Sequence, residues 1–372
     1  VNGSLNWNDF NKKFDVNFDV DRIDQKIIQL EGDFYPSRQT DQLDLRLKLN
    51  NANLRISEPF IEDYVTEIGG FISGDYVVSG NFNAPIMKGE GLLKDGALKV
   101  NYLNTNYKFD GQVEFDKDLI KLSNIELKDI EDHEASFNGS ITHDYFTNFA
   151  FDMAGDLTGF QVLNTVPNLS EPYYGTAFAT GSLKLEGEAA NLNIEANVRT
   201  DGNTRLVIPI SEGSDITENP EYITFIDRTD TTQVTTVNET QDEVNKIKIE
   251  GLKLDLDINV TPAAYVEIII DPKSGDIIRG RGNGQLRLQI DTQGDFQMTG
   301  GLNIIEGGYN FSLYNVITKE FDIEQPSSIT WFGDPYTAIM DIKASYSQST
   351  SLQPILEQTG FATPAANGGT SV

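Results

Sequence analysis

The chain has no cysteine among its 372 residues, which excludes a disulfide framework, a thiolate nucleophile and any cysteine-ligated metal. Histidine is nearly as scarce. His133 and His143 are the only two, both lie in Asp/Glu-containing turns, and both read as exposed turn residues rather than converging metal ligands. No G-x-S-x-G pentapeptide occurs, so the serine-hydrolase elbow is missing. The glycines at 280, 282 and 284 do not make a phosphate loop, because the LRLQI that follows reads as strand and a phosphate site needs a helix N-terminus. Asp15, Asn17 and Asp19 open like a calcium loop. Val20 then stands where glycine is needed and Lys26 where glutamate is needed. The acidic piece Asp129–Glu134 lacks that order too.

Positive charge is also short. Lysine and arginine total 28 against 57 acidic residues, a net charge of −29. Nucleic-acid binding draws its affinity from phosphate neutralisation and is excluded on that ground. Adsorption to an anionic bilayer through a basic patch is opposed as well. The acidic surplus reads as a solubilising face that resists edge-to-edge pairing. Apolar runs such as Val266 with Ile268–Ile270 are far too short for a helix to span a bilayer. No signal peptide is visible at Val1, which is not an initiator methionine, and the chain reads as an excised part of something larger. Paired carboxylates of a glycosidase stay open, since acidic residues occur throughout and their separation in space is not written in the sequence. An enzyme is not expected, nor any cofactor or metal.

What is present is alternation. Leu43, Leu45, Leu47 and Leu49 alternate with Asp44, Arg46 and Lys48. Leu252, Leu254, Leu256, Ile258 and Val260 alternate with Lys253, Asp255, Asp257 and Asn259, and Leu286, Leu288 and Ile290 with Arg287 and Gln289. Successive side chains of a strand face opposite ways, so each segment has one apolar and one polar face. The spacing predicts an all-β protein, a long stack of amphipathic strands with a continuous apolar side. The 32 glycines suit many turns and bulges.

Residues 1–210 read as repeating strands and turns, 211–246 as a polar loop or insertion, 247–346 as a second strand-rich unit and 347–372 as a tail without alternation. Short helices are expected at Pro59–Gly69 and, as helix or loop, at Phe160–Leu163. Ile247–Asp271 is the longest strand signal, with a phase slip at Gly251 that marks a bulge. Glycine-rich blocks at Ile72–Tyr102, Thr180–Thr200 and Gly282–Leu313 share a rhythm, and such repetition suggests units that pack only on their neighbours. Tyr102, Tyr107, Phe109, Phe115 and Phe137 read as packing aromatics.

Gly280–Tyr346 carries the most specific pattern: the G-x-G-x-L-x-L strand opening, the F-x-M-x-G and E-G-G-Y-x-F turns, Phe321-x-Ile323, and Ile329-Thr-Trp331 followed by Gly333-Asp334-Pro335. This run resembles the C-terminal domain of the TamB family, the translocation and assembly module proteins. Ile68–Gly80, Tyr174–Gly181 and Val260–Asp271 resemble the version found in Bacteroidota. Gln325-Pro326-Ser327 replaces a glycine-rich turn usual in the family, and its final strands are not recognisable in Leu352–Val372.

The resemblance implies a β-taco, an elongated sheet folded along its length into an open, apolar-lined groove. It implies an AsmA-like bridge protein of the periplasm, anchored in the inner membrane by a segment outside this chain. Its partners would be phospholipid and an outer-membrane barrel of the TamA/BamA or TamL type. The lining is expected from Leu252, Leu254, Leu256, Ile258, Val266, Ile268, Ile270, Leu286, Leu288, Ile290, Phe296 and Met298. Phe321, Ile323, Ile329, Trp331, Asp334 and Pro335 are expected at the docking edge. With strands about 4.8 Å apart, on the order of twenty-five strands would extend roughly 100 Å. Taken alone, the same alternation also fits a closed hydrophobic core or a surface or sugar-binding β-sandwich, and the resemblance also allows a scaffold or chaperone for outer-membrane protein assembly or secretion without lipid transport.

Overall fold

The computed structural model describes residues 1–23, 25–58, 65–167, 173–188, 190–209, 251–271, 275–291, 295–313 and 317–348. All nineteen described strands belong to one sheet. The first eleven form an antiparallel meander: β1 (Asn2–Asn8), β2 (Lys13–Arg22), β3 (Gln25–Phe34), β4 (Leu43–Asn53), β5 (Val65–Asn81), β6 (Ala84–Val100), β7 (Thr105–Asp116), β8 (Leu119–Lys128), β9 (Glu134–Asp144), β10 (Thr147–Thr165) and β11 (Tyr174–Glu188). Next come β12 (Asn191–Thr200) with β13 (Arg205–Pro209), and β14 (Lys253–Val260) with β15 (Tyr265–Asp271). The meander ends with β16 (Asp276–Asp291), β17 (Phe296–Leu313), β18 (Ile317–Gly333) and β19 (Ile339–Ser345).

Strands β12 and β13 lie end to end along β11, and β14 and β15 lie end to end along β16. The nineteen strands therefore stand in seventeen ranks. At about 4.8 Å per rank the sheet extends roughly 75 Å before twist shortens it, less than the sequence suggested. One pairing breaks the antiparallel pattern. β12 runs parallel to β14, and β13 parallel to β15, in a shared register that joins Ile194 to Leu254 and Leu206 to Val266. The residues connecting them, 210–250, lie outside the described set, and so does the predicted loop at 211–246.

The alternation sets the faces as expected. On β4, Leu43, Leu45 and Leu49 are buried while Asp44, Arg46 and Lys48 are exposed. Opposite charges meet across strands on the polar face, as in Lys88–Asp116 at 2.6 Å and Arg287–Asp255 at 2.7 Å.

A line of backbone irregularities runs across the ranks and bends the sheet. Asn51, Asp95 and Asn124 each take positive φ, at 52°, 51° and 50°, at register shifts in β4, β6 and β8. Asn and Asp tolerate this region better than other side chains. In each case the next strand caps the displaced N–H. Asn51 donates to Ser73 Oγ at 2.9 Å, Asp95 to Asp110 Oδ1 at 2.8 Å and Asn124 to Asn138 Oδ1 at 2.7 Å. Further along, threonine takes over. Gly159 N–H (φ 59°) donates to Thr180 Oγ1, Phe178 N–H to Thr204 Oγ1 and Thr261 N–H to Thr200 Oγ1. Bulges bend a strand and sharpen its twist, so an aligned series of them creases the sheet lengthwise.

Three expectations need correction. Val65–Gly69 belong to β5 rather than to a helix, and Pro59–Tyr64 lie outside the described residues. Phe160–Leu163 are strand, in the bulged end of β10 that lies in register with β11, and Gln161 turns its own N–H to Asp129 Oδ2. The strand signal at 247–271 is broken at 261–264, where the crease crosses it and Thr261 is capped by Thr200. Ile247 and Ile249 are not among the described residues, and Gly251 lies in a turn with φ 87°.

Candidate functional site: an apolar trough

Side-chain rows run at right angles to the strands, along the long axis of the sheet. One row follows the registers from Phe18 through Leu30, Leu47, Tyr76, Gly89, Phe115, Ile120, Ile141, Phe151 and Gly187 to Leu192, one residue per rank from β2 to β12. A second runs Ile125, Phe137, Gly155, Leu183, Ala196, Leu256, Leu288 and Met298, from β8 to β17. No charged residue interrupts either row. The apolar face is therefore continuous lengthwise, including across the parallel junction of β12 and β14.

On β11 and β16 burial falls from the crease towards the strand end, whereas Leu43 and Leu45 at the start of β4 and Met298 at the start of β17 stay buried. On β11, Phe178 and Ala179 at the crease are buried at 3% and 4% exposure, whereas Leu183 and Leu185 farther out are half-buried. Strand β16 repeats this: Gly282 is buried, and Leu286, Leu288 and Ile290 are half-buried. A sealed sandwich buries its inner face on both sides, because two sheets interdigitate there. On β11 and β16 the floor is covered and the wall is half-exposed, which is the section of an open trough.

Glycines on this face let rings lie flat over the neighbouring strand. A Cβ on Gly96 would stand 2.5 Å from the Phe109 ring. Gly155 holds the same relation to Phe137. A ring lying across its neighbour fills the lining without projecting into the trough.

Of the twelve predicted lining residues, Leu252, Leu254, Ile268 and Met298 are buried. Leu256, Ile258, Val266, Ile270, Leu286, Leu288, Ile290 and Phe296 are half-buried. Eleven of them, all but Leu252, belong to or pack on the apolar face of β14–β17. Leu252 is in the turn before β14. The predicted docking residues divide differently. Ile323, Ile329, Trp331 and Pro335 are buried, with Trp331 Nε1 donating to Pro335 O at 3.2 Å. Phe321 stacks on Tyr309, and only Asp334 is exposed. These side chains pack the end of the apolar face. The outward apolar groups nearby are Phe332, Tyr336, Ile339 and Met340.

Sequence reasoning missed a polar knot at the end of the β8–β9 hairpin. Asp129, expected in an acidic surface turn, is 1% exposed. Its Oδ1 accepts from the N–H groups of Glu131 and His133, and its Oδ2 from Gln161 N–H, with His133 Nδ1 at 3.0 Å. Beyond this hairpin β7 meets β10 directly. Tyr107 stacks on Phe160 at 4.8 Å and donates its hydroxyl to Gln161 O, and burial pushes the phenol well above its ordinary pKa. His143 is a second correction. It is 4% exposed rather than a solvated turn residue, because it shares the apolar face with Ile141 two residues before it and stacks on Phe146.

The described residues hold no group of three His, Cys, Asp or Glu side chains suited to a metal ion. No described helix is long and apolar enough to cross a membrane. A concavity of about 600 Å³ lies on the opposite face, lined mainly by polar groups such as Ser136, Asp156, Lys184, Glu195 and Asp257. That lining does not suit hydrocarbon.

The TamB C-terminal domain model matches residues 123–369. No curated protein and no solved structure matches the chain. With about two-thirds of its length inside that match, joined to a single creased sheet with a continuous apolar face, the chain belongs to the TamB family, a family of outer-membrane assembly and transport.

Proposed function

We propose that the trough conducts phospholipid acyl chains across the periplasm between the inner and outer membranes. Burying a methylene is worth about 0.8 kcal/mol, so a sixteen-carbon chain resists leaving a bilayer by roughly 12 kcal/mol. An apolar surface continuous over many ranks offers the chain the same environment at each step, with the head group in water at the open side. No bond is made or broken, so no catalytic group is required. The observation that carries this reading is the pair of uninterrupted apolar rows whose walls stay half-exposed.

The partner we propose is an outer-membrane barrel of the TamA or TamL type, met through the edge of β19. Among the described residues that strand pairs with β18 alone, and a strand edge can add to another sheet. The protein would be held to the inner membrane by a segment outside this chain. Transfer of a fluorescent phospholipid between two vesicle populations tests conduction. The chain should accelerate transfer, and Leu288→Asp should abolish the acceleration while the protein stays folded. Equal transfer with and without the chain refutes conduction and leaves a scaffold for outer-membrane protein assembly as the reading.

A further inference from the structure

Of the five buried side-chain polar atoms without a hydrogen-bond partner among the described residues, which include Asn81 Oδ1, Thr105 Oγ1 and Thr165 Oγ1, two are Nε2 of His143 and the hydroxyl of Tyr76. Both belong to one aromatic cluster. Tyr76 meets Phe115 edge-on at 5.6 Å, Phe115 lies 6.5 Å from Phe146, and Phe146 stacks on His143 at 4.6 Å. His143 Nδ1 accepts the N–H of Phe146 at 3.1 Å. That bond makes Nδ1 the acceptor and puts the imidazole proton on Nε2. The face thus holds a buried N–H donor with nothing to donate to. Leaving such a group unsatisfied is costly, and native structures seldom do so without a reason.

The ring stacked on this imidazole is held in an unusual turn. Phe146 sits in the two-residue turn between β9 and β10, where Tyr145 and Phe146 take φ of 50° and 66°. Turns of this kind favour Asn-Gly, since bulky side chains are strained there. Here two aromatic residues occupy it, and one lies flat on the histidine ring. Strain held at a position of this sort points to a functional constraint.

We propose that His143 is a hydrogen-bonding site for an acyl ester in the trough, its Nε2–H donating to the ester carbonyl oxygen of a lipid whose chains lie along the adjoining apolar row. The inference rests on the trough holding acyl chains and adds to it a chemical requirement, an ester rather than hydrocarbon alone.

The test compares vesicles of ester-linked diacyl phosphatidylcholine with vesicles of the ether-linked dialkyl counterpart of equal chain length, which lacks the carbonyl. Lipid bound to the full chain is read by native mass spectrometry. The expected result is about tenfold tighter binding of the ester lipid, the scale of one hydrogen bond to a buried donor, and loss of that preference in His143→Phe. Equal binding of both lipids by the unaltered chain overturns the ester site and leaves the trough standing. Binding of neither lipid overturns both. A second readout does not depend on the variant folding. In protein carrying ¹⁵N-labelled imidazole, the Nε2–H resonance of His143 should move with the ester lipid and hold with the ether lipid. A resonance indifferent to both rejects the proposal.

Discussion

Replacing Leu288 by aspartate separates an open trough from a closed core. Leu288 is half-buried on β16, between Leu256 of β14 and Met298 of β17. Full burial of a leucine is worth about 1.5–3 kcal/mol, so removing a half-buried one costs about 1 kcal/mol, and the new carboxylate keeps its water. Ile329, at 1% exposure on β18, is the control. A carboxylate there loses its hydration without a partner, and Ile329→Asp should cost more than about 4 kcal/mol. With an acyl chain in place the difference reverses in kind. The group at 288 must then be stripped of water against hydrocarbon, at roughly 2 kcal/mol or more even when protonated, which weakens lipid binding at least about thirtyfold. Urea denaturation and lipid loading, measured on both variants, give the answer. If Leu288→Asp loses as much stability as Ile329→Asp, the wall is core and the reasoning fails.

Other consequences follow from the crease, the knot and the buried histidine. Asp110→Ala removes the cap on the Asp95 N–H and should cost about 1 kcal/mol, with faster hydrogen exchange at that amide. Unchanged exchange would remove the crease caps from the account. Asp129→Ala strands the N–H groups of Glu131, His133 and Gln161 and should cost about 3–5 kcal/mol, seen as a lowered urea midpoint. Burial holds the His143 pKa below its ordinary 6.5, against the opposing pull of Asp118 and Asp144. The unfolded chain therefore takes up the proton first, and stability falls as pH drops from about 6.5 to the lowered native value. Between about pH 7.5 and 5, His143→Gln should lose less stability than the unaltered chain. An equal loss in both proteins would contradict the burial.

The faces of the strands were legible because alternation is local. Leu43 to Leu49 and Leu252 to Val260 state which side is apolar, and the sheet obeys them. The crease was not legible. Asn51, Asp95 and Asn124 look like ordinary polar turn residues, and only the register of the next strand shows Ser73, Asp110 and Asn138 opposite them. The parallel pairing of β12 with β14 joins residues sixty positions apart, which no local pattern encodes. Asp129 and His143 misled for a similar reason. Each stands among acidic or turn residues, so the local sequence reads as solvated. Burial came from β10 closing over Asp129 and from Phe146, three residues on in the same hairpin, folding back onto His143. The docking segment was recognisable as a motif, yet its hydrophobic hallmarks turn inward. The motif marks how the end of the sheet packs, and the exposed apolar groups there are Phe332, Tyr336, Ile339 and Met340.

The most direct test of the central claim is native mass spectrometry of the chain purified from a Gram-negative envelope without detergent exchange. An apolar surface with half-exposed walls should retain diacyl lipid, seen as discrete mass additions that organic extraction removes. A chain that is lipid-free when purified, and stays so after incubation with phospholipid vesicles while still folded, would contradict the account.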